Sequence, residues 1–261
     1  MPNELTVKEP NIKRYLERIG ITEAIVVDYI SLRHIQERHM LSVPFENLNI
    51  IHGIPVELDL DSLYDKIVDK RRGGYCYELN GLLAWLLKRL GYRVSLLSGR
   101  VIRDDGSFGP EFDHMALLVH LDNDYIVDVG FGDSVRSPLP LSGEVVTDVS
   151  GSYRITHEID SDVLFFQKKL NGEWVSEYRF TLTSRHIEDF RHMNIHQQTS
   201  PDSHFTKNLI VSKATPQGRI SISGDSFIVT IGSDKERRPI LSNDEQKALL
   251  KIHFGMDLAC S

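Results

Sequence analysis

Cysteine is scarce in this chain: Cys76 and Cys260 are the only two among 261 residues. Two thiols exclude a disulfide framework, and a reducing, cytoplasmic setting fits them better than an oxidising one. Long apolar runs are lacking as well. None approaches the ~20 residues that a bilayer-spanning helix needs, so no membrane partner is expected. The first ten residues have no apolar core of signal-peptide type. Basic charge is in deficit, with 30 Lys+Arg against 37 Asp+Glu, a net charge of −7. No Lys/Arg-rich run stands out, which argues against nucleic acid as a partner. Metal-ligand spacing is also missing. There is no CxxC and no HExxH, and His34 and His39 lie five apart, off a common helical face. No metal is expected.

What is present begins with helices. Asn11–Gly20 starts after Pro10 and stops at a glycine, and 30–40 continues in the same style until Pro44 breaks the pattern. The clearest helix follows Cys76. Leu79, Leu82, Leu83, Leu86, Leu87 and Leu90 recur at three- and four-residue steps, with Lys88 and Arg89 in the last turn and Gly91 at the C-cap. After Gly91 the period shortens. Segments 92–102, 114–121 and 125–129 read as strands, with 122–124 as a hairpin turn and 137–143 as a loop. Further strands are expected at 152–159, 163–169 and 174–183, then a helix over 183–193. Residues 199–203 are a candidate boundary. Strands at 209–212, 219–223 and 226–231 lead to a final helix to about Phe254, with Ser242 and Glu245 as a capping box. Helices first and strands in runs argue for an α+β fold rather than a parallel α/β sheet.

Three residues carry the candidate chemistry. A helix N-terminus favours a thiolate, and Cys76 stands there by position. Gly73 and Gly74 would let the backbone turn and leave room for a substrate, and free N–H groups of the first turn could bind an oxyanion. A buried structural cysteine is the competing reading. A partner imidazole must come from elsewhere in the fold. His114 opens an apolar strand, as a general base or simply as a strand-end histidine. Asp128 sits in Tyr-Ile-Val-Asp-Val-Gly-Phe-Gly, where a buried carboxylate needs a partner, either an imidazole to orient or a structural hydrogen bond. A tight turn at 122–124 would set residue 118 opposite 128. His114 would then be four residues away, on the order of 13 Å.

The segment Arg72-Gly-Gly-Tyr-Cys-Tyr-Glu-Leu-Asn80 resembles the signature of the arylamine N-acetyltransferases. Tyr15-Leu-Glu-Arg-Ile-Gly20, Val43-Pro-Phe-Glu-Asn-Leu48 and Val127-Asp-Val-Gly-Phe-Gly132 are similar to three further family segments, in the same order. The likeness covers nearly the whole chain and weakens after about residue 195. It implies a Cys76, His114 and Asp128 triad in a papain-like arrangement. A helical domain (1–91) would bear the cysteine, a β-barrel domain (92–195, ending in a linking helix) would bear His and Asp, and an α/β lid (196–261) would follow. It implies acetyl transfer from acetyl-CoA to an arylamine or arylhydrazine through an acetyl-cysteine, in a monomer or homodimer. Glu46 and Arg72 match a buried ion pair. Phe45 and Phe131 match positions lining the acceptor pocket. His196, Thr199 and Ser203 fall in a segment that resembles, loosely, one that contacts CoA. Cys260 reads as a tail cysteine without a role. The same three residues would also serve a hydrolase or amide synthase with a different acceptor. A non-catalytic binding protein on this scaffold would not need all three.

Overall fold

The computed structural model describes residues 10–103 and 105–257; Cys260 lies outside them. Helix α1 (Ile12–Arg18) is capped by Asn11, whose side chain accepts from Arg14 N–H, and α2 (Tyr29–Ser42) is capped in the same way by Asp28. A two-residue strand, β1 (Phe45–Glu46), leads to α3 (Leu48–Ile51). Helix α4 (Leu60–Tyr64) runs straight into a π-helical turn, Asp65–Asp69. Helix α5 (Cys76–Leu90) is the central element. It ends at Gly91, whose φ of 104° is the left-handed conformation that a C-cap requires. Leu79, Leu82, Leu83, Leu86 and Leu87 are all buried, contributing roughly 10 kcal/mol of apolar transfer before chain entropy is charged against it.

Eight strands form one antiparallel sheet: β2 (Arg93–Val101), β3 (His114–His120), β4 (Asp124–Val127), β5 (Leu139–Pro140), β6 (Val146–Asp148), β7 (Gly151–His157), β8 (Leu164–Leu170) and β9 (Glu173–Phe180). Their order is β5-β4-β3-β2-β9-β8-β7-β6. The sheet curls until β5 lies against β7, so it is a nearly closed barrel. Strand β3 is apolar almost throughout because both of its faces are covered. Ala116 and Leu118 join the barrel interior with Tyr153, Phe166 and Tyr178. Met115, Leu117 and Val119 point the other way, into the cluster built around α5.

After β9, residues Ile187–Phe190 form a 3₁₀ turn that continues into α6 (Arg191–Thr199), and the short α7 (His204–Lys207) follows. Strands β10 (Ile210–Thr215), β11 (Gly218–Ser223), β12 (Ser226–Ile231) and β13 (Asp234–Pro239) make a second antiparallel sheet. It is backed by α8 (Asn243–Phe254), and its order is β1-β10-β11-β12-β13. The 45–46 segment is therefore a strand of the C-terminal sheet, 164 residues before its partner β10 begins.

Three sequence expectations need correction, and one strand carried no signal. The helix expected over 183–193 begins at Ile187, because Arg185 N–H bonds to the Leu96 carbonyl at 2.9 Å and keeps the preceding residues extended beside β2. The 137–143 loop contains β5, since Leu139 pairs with Ile126. Strand β13 had no signal, because Asp-Lys-Glu-Arg-Arg-Pro is wholly exposed on the sheet edge and has no apolar alternation. The double glycine serves backbone packing rather than substrate access. A Cβ on Gly73 would stand 2.0 Å from the Pro44 carbonyl oxygen, and Glu46 N–H bonds to Gly74 O at 2.8 Å.

Among the described residues, no helix is long and apolar enough to cross a membrane. Among those same residues, no group of three or more His, Cys, Asp or Glu is placed to hold a metal.

Candidate active site

Cys76 is the first residue of α5 and is buried. Tyr75, the N-cap, gives its N–H to Glu78 Oε2 at 3.1 Å, which fixes how the chain enters the helix. One turn further, Asn80 faces the barrel. Its Nδ2 donates to the Met115 carbonyl at 2.6 Å and to Asp128 Oδ1 at 2.9 Å, and its Oδ1 accepts from Val129 N–H at 3.0 Å. One amide thus ties the cysteine helix to β3, which carries His114, and to the segment just after β4, which carries Asp128. The contact is close enough that a Cβ on Gly130 would lie 2.7 Å from Cys76 Cα.

The register differs from the expected one and brings His114 to Asp128. Asp124 pairs with His120, so the β3–β4 loop is residues 121–123. Leu118 faces Ile126 and Leu117 faces Val127; one step further sets Asp128 opposite Ala116. His114 is then two residues away on the same face, the diagonal spacing of about 7–8 Å that side chains can bridge. His114 Nε2 and Asp128 Oδ2 are 2.7 Å apart. Asp128 accepts three further bonds: at Oδ2 from Tyr178 Oη at 3.1 Å, and at Oδ1 from Asn80 and from Gly130 N–H, each at 2.9 Å.

The electrostatics follow from this packing. Burial of the His114 ring opposes its cationic form. The Asp128 charge, its hydrogen bond and the Cys76 side chain outweigh that penalty, and the pKa is pushed up to about 10. Burial works against the Asp128 anion too, but His114, Asn80 and Gly130 hold its pKa below the ordinary carboxylate value. With Nε2 taken by Asp128, Nδ1 is the ring nitrogen left for Cys76. Cys76 and His114 line the same cavity, and Cys76 is among the groups that raise the pKa of the ring.

Cys76 and His114 open on a cavity of about 550 Å³ whose lining includes Phe45, Phe131, Asp113, His196, Ser203 and Phe205. Phe131 stacks edge-on to His114 with ring centroids 5.1 Å apart, and the Phe45 and Phe205 rings are 6.1 Å apart. Of the three residues expected near CoA, His196 and Ser203 line this cavity. Thr199 does not; it lines a separate cavity on the other face of α6, and its hydroxyl bonds to the Ile195 carbonyl. The Ser203 hydroxyl is committed to Gln197.

Glu46 and Arg72 lie behind the cysteine loop, bonded through Glu46 Oε1 at 2.8 and 3.1 Å, both buried. They belong to a larger group. Lys66 lies 2.7 Å from Glu78 and 3.6 Å from Glu46, so two carboxylates meet two cations. Burial disfavours the Glu46 anion, but Lys66 and Arg72 hold its pKa down. Glu78 is shifted upward because burial outweighs its one lysine.

Sequence reasoning did not single out Asn80, Tyr178 or Lys66. Asn80 had a signal, because position i+4 from Cys76 shares its helix face. Tyr178 and Lys66 had none, since each reaches its partner only through the fold.

A family model for N-acetyltransferases matches residues 28–261. The arylamine N-acetyltransferase of Mycolicibacterium smegmatis is 38% identical, covering 94% of this chain and 91% of that protein. A solved structure of the M. smegmatis enzyme superposes with a TM-score of 0.89 at 36% identity, covering 96% of this chain and 93% of that one. The Mycobacterium marinum arylamine N-acetyltransferase solved in complex with CoA also gives 0.89, at 32% identity and 96% and 94% coverage. A nearly closed barrel set against a cysteine-bearing helix, joined to such likeness over almost the full length, leads to one assignment: the chain belongs to the arylamine N-acetyltransferase family.

Proposed function

We propose that this protein transfers the acetyl group of acetyl-CoA to arylamines or arylhydrazines, and to the oxygen of N-hydroxyarylamines, by a ping-pong route through acetyl-Cys76. The observation that carries the reading is the position of His114, bonded to Asp128 through Nε2 and facing Cys76 at a cavity walled by Phe45, Phe131 and Phe205. The CoA-bound relative supports acetyl-CoA as the donor.

Cys76 first gives its proton to His114. The thiolate attacks the thioester carbonyl, and the bond to the CoA sulfur breaks. The departing sulfur takes the proton from His114 and leaves as CoA. The imidazole, now neutral, accepts a proton from the incoming amine as that nitrogen attacks acetyl-Cys76. The carbon–sulfur bond breaks, the amide leaves, and the thiolate–imidazolium pair is restored. Asp128 fixes the ring orientation and stabilises its cation. Backbone N–H groups of the first turn of α5, unpaired within the helix, would bind the oxyanion of both tetrahedral intermediates.

His196 is the proposed CoA contact. Glu46 and Arg72 hold the 44–48 segment against the cysteine loop. The papain-like division into a helical domain, a barrel and a lid rests on the family likeness. The barrel interior has an apolar cluster of its own, whereas the cluster around α5 also takes in Met115, Leu117 and Val119 of β3 and the C-terminal cluster takes in Leu48. Because α6 spans residue 195, we place the second boundary after Thr199 rather than at 195.

Isotope exchange tests the route. With acetyl-CoA, labelled CoA and no amine, the protein should move label into acetyl-CoA, because the first half-reaction reverses alone. Exchange that appears only when an arylamine is added would refute the acetyl-enzyme.

A further inference from the structure

The corner between α6 and α7, residues 200–203, contributes to the catalytic cavity, and side-chain hydrogen bonds set its place. Asp113, beside His114, accepts at Oδ1 from Gln197 Nε2 at 2.9 Å. The other end of that amide, Oε1, lies 2.8 Å from Ser203 Oγ, whose one proton is shared with the Gln197 backbone carbonyl, also at 2.8 Å. Ser203 Oγ in turn accepts from Phe205 N–H at 3.2 Å, and Asn47 Nδ2 donates to the Phe205 carbonyl at 2.8 Å. Gln197 and Ser203 are buried. The amide is used in one sense only, as donor to the carboxylate and acceptor from the hydroxyl. At the end of this chain the Phe205 ring packs 5.5 Å from Tyr75 and 6.1 Å from Phe45.

We propose that the Asp113–Gln197–Ser203 relay determines acceptor specificity by fixing Phe205 as the wall against which a flat aromatic amine is oriented. The proposal rests on the acetyl-transfer reading above. The two half-reactions ask different things of the cavity. Acetylation needs the thioester at Cys76 and no aromatic wall. Deacetylation needs the amine nitrogen aimed at the acetyl carbon, where a displacement of about 1 Å can cost on the order of 100-fold in rate. Gln197 and Asp113 are thus positioning residues for the second step.

The test measures each half-reaction separately, as CoA release from acetyl-CoA and as loss of acetyl from acetylated protein on adding p-anisidine. Gln197→Glu sets a carboxylate against Asp113. It should slow the amine step about tenfold or more relative to acetylation, the size of one lost hydrogen bond to a charged group. Gln197→Leu, which breaks the relay without adding charge, should shift the ratio the same way. Asp113→Asn combined with Gln197→Glu reverses the donor and acceptor, and should restore the ratio to within about threefold of the unaltered protein. Equal loss in both steps with a lowered melting midpoint would make the relay merely structural and overturn the proposal. So would failure of the double variant to recover, or selective loss of the acetyl-CoA step. If the unaltered protein takes no acetyl group at all, the underlying reading falls and the relay's role falls with it.

Discussion

Asp128→Asn separates the orienting role of this residue from its place in the fold. The carboxylate presents two edges. Oδ2 receives His114 and Tyr178, and Oδ1 receives Asn80 and Gly130 N–H. An asparagine of the same shape has one oxygen and one NH₂. With the oxygen toward Asn80 and Gly130, the NH₂ must face His114 Nε2. The ring then carries its proton on Nδ1, toward Cys76, and cannot take one from the thiol. With the amide reversed, the ring tautomer is kept, but the NH₂ faces two donors and the imidazolium loses its anion. Either way the pair that pushes His114 to about 10 is gone. The wrong-tautomer state should lower the rate of Cys76 acetylation about 10⁴-fold, equivalent to about 5 kcal/mol of barrier. Stability should fall far less, by about 1–3 kcal/mol for one unsatisfied buried group. Rapid-mixing measurement of CoA release gives the first quantity and urea unfolding gives the second. A variant that keeps more than about a tenth of the acetylation rate would refute the tautomer argument.

Gly130→Ala should cost about 1–3 kcal/mol in urea unfolding and about 100-fold in activity, because its Cβ would press on Cys76 Cα and on Asn80 Nδ2 at 2.7 and 2.8 Å. Wild-type rates would show that the barrel does not seat against α5 there. Glu46→Ala leaves Arg72 without its buried carboxylate partner, while Lys66 keeps Glu78, and should destabilise by about 3–5 kcal/mol in the same assay. The His114–Asp128 pair also sets a pH signature, read as the stability difference between the unaltered protein and Asp128→Asn. His114 is raised from 6.5 to about 10, so its contribution is complete below 6.5 and is lost as pH rises toward 10. Asp128 is lowered from 3.8, so its contribution is present above that value and is lost as pH falls through the depressed one. The difference should therefore be largest between about pH 4 and 6.5; a difference that grows from pH 7 to 9 would contradict the ion pair.

The sequence showed most clearly where periodicity and caps agree. Helix α5 begins and ends where the leucine spacing and Gly91 set it. Its thiol was legible as a candidate nucleophile, with a structural cysteine as the competing reading, because a helix start is a property of local sequence. The link from His114 to Asp128 was not legible in the same way. It depends on a one-residue difference in the turn, 121–123 in place of 122–124, which shifts the pairing by two and leaves the faces unchanged. Strand β1 and the buried Lys66 were beyond reach for another reason: their partners are brought together only when the C-terminal sheet and the helical part assemble. The loosely matched 199–203 segment shows the opposite risk. Ser203 lies at the cavity, yet its hydroxyl is spent on Gln197, and Thr199 faces elsewhere.

Intact-mass analysis after mixing the protein with acetyl-CoA alone tests the acetyl-cysteine most directly. The protein should gain one acetyl group, located on Cys76 by peptide mapping, absent from Cys76→Ala and removed when an arylamine is added. An unmodified mass, or an acetyl group that persists in Cys76→Ala, would contradict the acetyl-cysteine.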